Sequence, residues 1–206
     1  MSYGSDVSVI IPYYNEQKTI EKTLELIKSQ SRQPKKVFLI NSSSTDNTSN
    51  LINLWIKKNR VKKKYKNIFK KTKYPSTSKN LGIKLSKTKL VAFMDCDINF
   101  NKDWLKNQLT YLKKYNLNIV LGSCFLKGKG LLDSCFVAQT WGYSSKINVI
   151  PSSLIKKQMF KRLGFFYSTR AGYDRLWINN LKKNYGEKVG NNYVIRYNKF
   201  SHSNSF

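Results

Sequence analysis

The chain contains the stretch Leu90-Val91-Ala92-Phe93-Met94-Asp95-Cys96-Asp97, in which an apolar run leads directly into two carboxylates. A short, continuous apolar run followed by polar residues predicts a buried β-strand. Residues i and i+2 of a strand face the same way, so Asp95 and Asp97 point to one side if the extended geometry continues past Met94. Two carboxylates there suit a hard divalent cation such as Mg²⁺ or Mn²⁺. The alternative is a solvated turn that happens to hold two aspartates.

Acidic residues are scarce in this chain, so a pair of them at the end of an apolar strand asks for an explanation. The 206 residues include 11 Asp+Glu against 38 Lys+Arg, a formal net charge of +27. This charge predicts attraction to polyanions such as nucleic acid, an anionic membrane face or phosphorylated substrates. The alternative is a compositional origin, because Lys and Asn are abundant, Arg is sparse, and the lysines are spread along the whole chain.

Length and composition predict one globular domain with its own core, since 40% of the residues are hydrophobic and 14% are aromatic. We predict no signal peptide in the first six residues. No apolar run approaches the ~18–20 residues that a membrane span needs. Cys96, Cys124 and Cys135 lack metal-type spacing, and we expect reduced thiols in a cytosolic compartment.

Strands and helices alternate in the first 120 residues. The predicted strands cover residues 7–11, 37–40, 90–95 and 119–121, with a shorter one at 68–69. The predicted helices cover residues 17–30, about 47–58, 78–86 and a segment that starts at 101. This alternation indicates a mainly parallel sheet with helices on both faces. Ligands of such sheets bind at the carboxyl ends of the strands, so the loops at Pro12, Asn41 and Asp95 should converge on one cleft.

After Gly122 the alternation loosens, which predicts a second subregion of the same domain. The expected elements are one or two antiparallel strands within 131–150, a helix capped by Ser152 or Ser153 that ends near Leu163, a helix over 173–183 and a strand over 193–197. Apolar spacing predicts that Leu54, Leu85 and Leu176 lie on the buried faces of their helices.

Five motifs stand in a recognisable order: VSVIIPYYNE (7–16), STDNT (44–48), SKNLG (78–82), DCD (95–97), and RLGFF (162–166) followed by AGYDRLW (171–177). Together they resemble the family 2 glycosyltransferases, which have the GT-A fold, and the resemblance runs from Val7 to about His202. The implied fold is α/β and Rossmann-like, with a mainly parallel sheet, flanking helices and a smaller mixed subregion. The implied domain is 1–206, with a nucleotide-sugar-binding half at 1–122 and an acceptor-side half at 123–206.

The resemblance implies a metal-dependent, inverting transfer of a sugar from a UDP- or GDP-sugar. The implied acceptor is a glycan, a lipid-linked molecule or a cell-surface polymer, and the implied cofactor is Mn²⁺ or Mg²⁺. The expected location is the cytoplasm, with peripheral contact at the inner face of an anionic membrane as a further expectation. We expect no specific binding of nucleic acid.

Donor-side roles follow from the same resemblance. The residues implied to bind the nucleotide sugar are Pro12, Tyr14, Glu16, Asn41, Ser42, Lys79 and Asp95. Tyr14 would stack on the base or simply pack in the core, and Glu16 would contact the nucleoside. Lys79 would contact phosphate at a helix start, where backbone N–H groups favour anions, or is an ordinary surface lysine. Asn41 and Ser42 stand where the family has Asp-Asp or Asp-Asn, so the identity of the base stays open.

The metal and the general base are also assigned by resemblance. Asp97, helped by Asp95, would hold a cation that bridges the two phosphates as a Lewis acid. His202, the one histidine of the chain, would complete that site or is merely exposed near the chain end. Asp174 would take the proton of the acceptor hydroxyl, or is an aspartate favoured by the helix dipole. The family's Glu-Asp pair is Tyr173-Asp174 here, which leaves Asp174 alone in the role of base.

Two rival functions stay open. A basic anion-binding protein that keeps the fold without activity would fit the substitutions at Asn41, Ser42 and Tyr173. A nucleic-acid-binding module would use the charge of +27. It ranks last because the sequence has no recognition helix, zinc spacing or RNA-binding aromatic signature.

Overall fold

The structure is a computed structural model that describes residues 6–71, 74–126, 147–169, 171–185 and 190–197. The strands among these residues are β1 Val7–Tyr13, β2 Lys36–Asn41, β3 Tyr65–Phe69, β4 Leu90–Phe93, β5 Ile98–Asn99, β6 Ile119–Leu126, β7 Ile147–Lys156 and β8 Gly190–Tyr197. The helices are α1 Ile20–Lys28, α2 Thr48–Lys58, α3 Pro75–Leu85, α4 Trp104–Lys114, α5 Gln158–Leu163 and α6 Tyr173–Tyr185. No helix in this described part of the chain is long and apolar enough to cross a membrane.

The strands form one sheet in the order β3-β2-β1-β4-β7-β6-β8-β5. The first four are mutually parallel, as the alternation of strands and helices predicted. From β7 onward the sheet is mixed, because β7 runs antiparallel to both β4 and β6 while β8 runs parallel to β6. The predicted fold class, a mainly parallel half joined to a smaller mixed region, is therefore confirmed.

Each face of the sheet carries its own apolar core. Successive residues of β1 alternate between them: Val9 and Ile11 belong to one core, and Ile10 belongs to the other. Helices α1, α2 and α4 cover the first core, and α3, α5 and α6 cover the second. A central strand buried on both faces needs apolar side chains at every position, which explains the continuous runs in β1, β2 and β4.

The helix predicted to start at Ser152 or Ser153 is wrong. Both serines lie within β7, which pairs with β4 through Leu154 and Ala92. The Ser153 hydroxyl donates to the Val149 carbonyl at 2.6 Å, a bond within the strand segment. The antiparallel strand expected before residue 150 therefore continues to Lys156, and the helix is limited to α5.

Three leucines predicted to be buried are exposed instead: Leu54 at 55%, Leu85 at 41% and Leu176 at 48%. Each of these leucines lies next in sequence to a buried residue or at a helix end. The buried face of the helix is therefore displaced by one residue from the face that the apolar pattern predicted. The helix α3 also begins at Pro75, ahead of the predicted start, because proline in the first helical turn has its φ angle already set for a helix.

Gly82 allows α3 to pack closely on β1, because a Cβ there would lie 2.5 Å from Cγ2 of the fully buried Ile10. We expect Gly82→Ala to lower the free energy of unfolding by about 1–2 kcal/mol. Overpacking usually costs roughly 1–3 kcal/mol, and at 2.5 Å from a fully buried side chain we expect about 2–3 kcal/mol, which outweighs the gain of about 1 kcal/mol in helix propensity. Urea unfolding measures the change, with Lys84→Ala on the exposed face of α3 as the control. A Gly82→Ala variant as stable as the wild type would contradict the close approach.

Candidate active site

The loops that follow β1, β2 and β4 meet at one edge of the sheet, because the three strands are neighbours and parallel. The Ser42 N–H donates to the Tyr13 carbonyl at 2.8 Å, and the Met94 N–H donates to the Ile10 carbonyl at 3.1 Å. The structure confirms the predicted convergence of the loops at Pro12, Asn41 and Asp95.

Asp95 and Asp97 are both accessible at this edge, although β4 ends at Phe93 and Cys96-Asp97 form a turn. The two carboxylates alternate with buried neighbours, Met94 at 0% exposure and Cys96 at 4%. Cys96 is anchored from two sides. Its carbonyl accepts a hydrogen bond from the Thr23 hydroxyl, and its Sγ lies 3.9 Å from the carbonyl oxygen of the buried Pro12. The anchored turn, not a continuing strand, keeps both carboxylates at the surface.

Lys79 is fully buried in α3, so its interpretation as an ordinary surface lysine is wrong. Its Nζ donates to Oδ1 of Asp95 at 2.9 Å and to the hydroxyl of Tyr173 at 2.8 Å. Burial opposes the charged form, but the charge of Asp95 and the contact with Tyr173 outweigh it and raise the pKa of Lys79. The lysine therefore stays an ammonium that is bound to one of the two paired aspartates.

Glu16 is half-buried beside the same edge. Burial is the main cause that raises its pKa to about 7; a hydrogen bond from Thr19 opposes the rise, and the charges of Asp97 and Asp95 add to it. Its backbone N–H donates to the Thr48 hydroxyl at 2.8 Å, which ties the loop after β1 to the start of α2. Glu16 thus lies within electrostatic reach of both aspartates and is poised to change charge near neutral pH.

Asn15 is a site residue that the sequence analysis missed. Its Oδ1 accepts from the Thr45 N–H at 2.8 Å and the Asp46 N–H at 3.3 Å, and Asp46 in turn accepts from the Gln17 N–H at 3.2 Å. Asn15 has a φ of 54°, a left-handed conformation that asparagine tolerates better than most residues. The signal that the sequence offered for this residue was an asparagine directly after Tyr14, in the loop that follows β1. These bonds join the loops after β1 and β2.

The residues expected to read the base occupy different environments. Tyr14 is 45% exposed, so it does not pack in the core and its ring is available for stacking. Asn41 is buried, and its side-chain oxygen accepts from the Ser44 N–H at 2.7 Å. The hydroxyl of Ser42 lies 2.7 Å from that of Ser78 on α3. The structure brings all of them to the shared edge, and their roles toward a base stay predictions.

The helix α6 starts beside the aspartate pair, because its first residue, Tyr173, contacts Lys79. Asp174 follows it, partly exposed, with Oδ1 accepting from the Arg175 N–H at 2.9 Å. The bond is of the kind that a helix N-terminal aspartate makes, and it leaves the role of Asp174 as base a prediction. His202 lies outside the described residues.

The segment 164–169 before α6 is held by α3. Asn80 bonds the backbone of Phe166 in both directions, at 2.8 Å and 3.0 Å. The Ser76 hydroxyl donates to the Thr169 carbonyl at 3.1 Å. Asn80 is thus a second residue whose structural role was not predicted. One helix, α3, places Lys79 against Asp95 and also fixes the segment that leads into α6.

Asp95 and Asp97 are the candidate metal ligands at this edge among the residues that the structure describes. Across the residues that the structure describes, no three His, Cys, Asp or Glu side chains form a cluster that could hold a metal ion. Two accessible carboxylates suit a hard divalent cation whose other ligands are oxygens of a bound substrate and water, as is usual for Mg²⁺. The residues present therefore fit an ion that binds together with a phosphorylated ligand.

Comparison with known proteins identifies the family. The sequence model of Glycosyl transferase family 2 matches residues 8–181. The poly(ribitol-phosphate) beta-N-acetylglucosaminyltransferase TarP of Staphylococcus aureus is 27% identical over 214 residues, an alignment that covers 96% of this chain and 64% of TarP. The chain therefore spans less than two thirds of that relative.

Two solved structures show the same fold. S. aureus TarS 1–349 in complex with UDP-GlcNAc has a TM-score of 0.66 at 20% identity, covering 94% of this chain and 56% of that one. The mannosyltransferase PcManGT from Pyrobaculum calidifontis, in complex with GDP-Man and Mn²⁺, has a TM-score of 0.67 at 17% identity, covering 93% and 56%. The family model covers most of the sequence, and its fold is the one observed here, so the chain belongs to glycosyl transferase family 2.

Proposed function

We propose that this chain transfers a sugar from a nucleotide-sugar donor to an acceptor hydroxyl, by a metal-dependent and inverting reaction. The observation that carries the proposal is the pairing of Asp95 with the buried Lys79, beside the accessible Asp97 and the start of α6. The two carboxylates at this edge of the sheet would hold a cation, and Asp174, on the separate helix α6, would be the third carboxylate of the site. The same edge is where open α/β sheets bind their ligands.

The donor we propose is a UDP- or GDP-sugar. TarS binds UDP-GlcNAc and PcManGT binds GDP-Man, and both share the fold of this chain. The exposed ring of Tyr14 offers a stacking surface for the base. Asn41 and Ser42 are uncharged, so they would contact the nucleoside through hydrogen bonds alone. Glu16 completes the lining of the donor side in this proposal.

Asp97 and Asp95 would hold the divalent ion, Mn²⁺ or Mg²⁺. When bound, this ion would act as a Lewis acid that neutralises the diphosphate. PcManGT supports Mn²⁺ as a candidate, because its complex contains that ion. The proposed third ligand, His202, is outside the described residues. Lys79 adds to the site by fixing the position of Asp95, because its ammonium is bound there at 2.9 Å.

Asp174 acts as general base in this proposal. It would accept the proton of the acceptor hydroxyl while the hydroxyl oxygen forms a bond to the anomeric carbon and the bond from that carbon to the diphosphate breaks. A displacement with inversion needs one base and no protein nucleophile. One carboxylate at the start of α6 meets this need, and Tyr173 replaces the other member of the pair.

The acceptor we propose is a glycan, a lipid-linked molecule or a cell-surface polymer. TarP is named for transfer to poly(ribitol-phosphate), a polyanion. The net charge of +27 would favour an acceptor of this kind through long-range attraction. The charge does not select between a free polymer and one that is anchored at a membrane.

A basic aromatic surface, formed by the end of α3, α5 and the segment 164–169, would contact anionic lipid. Phe165 and Tyr167 are 41% and 51% exposed, and Lys84 Nζ lies 5.1 Å from the Phe165 ring. Lys161 and Arg162 of α5 are exposed beside them. Residues 75–94 and 147–173 contain no Asp or Glu. Aromatic rings among cations, without acids, are the combination that binds an anionic interface. We propose this surface as the peripheral membrane contact.

Asp174→Asn tests the proposed base. We expect turnover, measured as release of nucleoside diphosphate from UDP- and GDP-sugars, to fall by about two to four orders of magnitude while nucleotide affinity stays nearly unchanged. The matched control is Asp103→Asn, an aspartate at the start of α4. If Asp174 serves only the helix dipole, both variants should lose stability and neither should lose turnover. A wild type that binds nucleotide sugars without turnover would favour the inactive anion-binding protein.

Vesicle co-sedimentation tests the basic aromatic surface. We expect Tyr167→Ser to lower partition onto phosphatidylglycerol vesicles roughly five-fold, because about 1 kcal/mol of apolar burial is lost. The control is Tyr115→Ser after α4, since Tyr115 is also 51% exposed and, like Phe165, has a lysine near its ring, with Lys114 Nζ 5.2 Å away. Binding should weaken as salt rises. Equal binding to phosphatidylcholine, or an equal loss in Tyr115→Ser, would contradict the assignment.

A further inference from the structure

Tyr173 joins the two halves of the proposed site. It is the first residue of α6, on the acceptor side, and its side chain is 9% exposed. Its hydroxyl accepts a hydrogen bond from Lys79 Nζ at 2.8 Å, and the same ammonium donates to Asp95 Oδ1 at 2.9 Å. A single buried cation therefore connects the helix that carries Asp174 with the aspartate pair.

Lys79 depends on both of these partners. Its side chain is fully buried, and an ammonium out of contact with water requires a counter-charge and acceptors for its three N–H groups. Asp95 supplies the charge, with a side chain that is 32% exposed and so is also accessible to a ligand. Tyr173 supplies a second acceptor without adding a second charge. Burial raises the pKa of its hydroxyl, which keeps the phenol neutral.

The uncharged hydroxyl at position 173 affects which carboxylate Lys79 binds. A carboxylate at 173 would share the attraction of the lysine, whereas a phenol leaves Asp95 as the carboxylate to which the structure binds Lys79. The phenol also prevents the ammonium from turning away from Asp95, because the two acceptors hold it from both sides. Asp95 is thereby held in one orientation before any ligand binds.

We propose that Tyr173 is a positioning residue: its hydroxyl holds Lys79 against Asp95, and so sets the carboxylate that receives the metal and the diphosphate. This inference rests on the proposed function. It assigns to a tyrosine on the acceptor side an effect on donor binding, which a residue that served only to pack α6 would not have.

Packing is the competing explanation, and it can be separated from the hydroxyl. The Tyr173 ring lies 5.7 Å from the Phe166 ring in an edge-on arrangement and 5.3 Å from Lys79 Nζ. Tyr173→Phe keeps these ring contacts and removes the acceptor. Tyr173→Gln does the reverse, because it removes the ring and keeps an uncharged acceptor for Lys79. If the hydroxyl matters, Mn²⁺-dependent nucleotide affinity should be weaker in Tyr173→Phe. If packing matters, it should be weaker in the variant that loses the ring.

The experiment is calorimetric titration of UDP and GDP, with and without Mn²⁺, into the wild type, Tyr173→Phe and Tyr173→Gln. We expect Tyr173→Phe to weaken the Mn²⁺-dependent affinity by about five- to thirty-fold, because Lys79 loses a buried partner. Tyr173→Gln should stay within about three-fold of the wild type. Tyr115→Phe, the same chemical change at an exposed tyrosine after α4, should have no effect.

Each outcome decides the inference. Affinity in Tyr173→Phe equal to that of the wild type, or weaker binding in Tyr173→Gln than in Tyr173→Phe, would overturn it in favour of packing. If Tyr173→Phe fails to fold, Tyr173→Gln alone decides, since loss of binding in that variant overturns the role of the acceptor. A wild type without Mn²⁺-dependent binding would instead remove the proposed function, and this inference with it. If the wild type shows Mn²⁺-dependent binding and Tyr173→Phe binds equally well, this inference is overturned while the proposed function stands.

Discussion

The ion pair between Lys79 and Asp95 is the interaction on which the rest of the site depends. Lys79 has no exposed surface, and its ammonium lies 2.9 Å from the Asp95 carboxylate. Removing one partner of a buried pair leaves the other charge without a counter-charge, which typically lowers stability by about 3–5 kcal/mol. Each of the two residues therefore requires the other. The pair fixes α3 to the turn after β4, and through the Tyr173 hydroxyl it also fixes α6. Lys79 thus joins the proposed donor and acceptor sides, alongside the bonds that Asn80 and Ser76 make to the segment 164–169.

The fold explains why a lysine is buried at this place. The parallel strands β1, β2 and β4 present their carboxyl ends together, and α3 crosses the sheet face close enough that Gly82 contacts Ile10. That close approach brings Lys79, in the second turn of α3, to the aspartate turn. The chain has 38 Lys+Arg. Most lysines whose side chains the structure describes are exposed, and among such side chains Lys79 is the one buried charged residue. Its burial reflects its position over the turn rather than composition.

The sequence was sufficient for the parallel half of the fold and for the gathering of its loops, because continuous apolar runs and their spacing depend on local pattern. The sequence was insufficient for features that depend on tertiary contacts. Ser152 looked like a helix cap, but pairing of β7 with β4 makes it a strand residue. For Lys79 the sequence left a phosphate contact and an ordinary surface lysine open. Neither anticipated its burial, since no local signal marks a partner 94 residues away, such as Tyr173. Asn15 was missed because its bonds reach across to the loop after β2.

The central claim is that the edge at Asp95 and Asp97 binds a nucleoside diphosphate together with a divalent ion. The most direct measurement is calorimetric titration of UDP and GDP in the presence of Mn²⁺ and of EDTA, with the wild type and Asp97→Asn. This substitution keeps the shape of the side chain and removes its charge. We expect the wild type to bind one of the two nucleotides only when Mn²⁺ is present, and Asp97→Asn to lose this metal-dependent component. Unchanged metal-dependent affinity in Asp97→Asn would contradict the central claim.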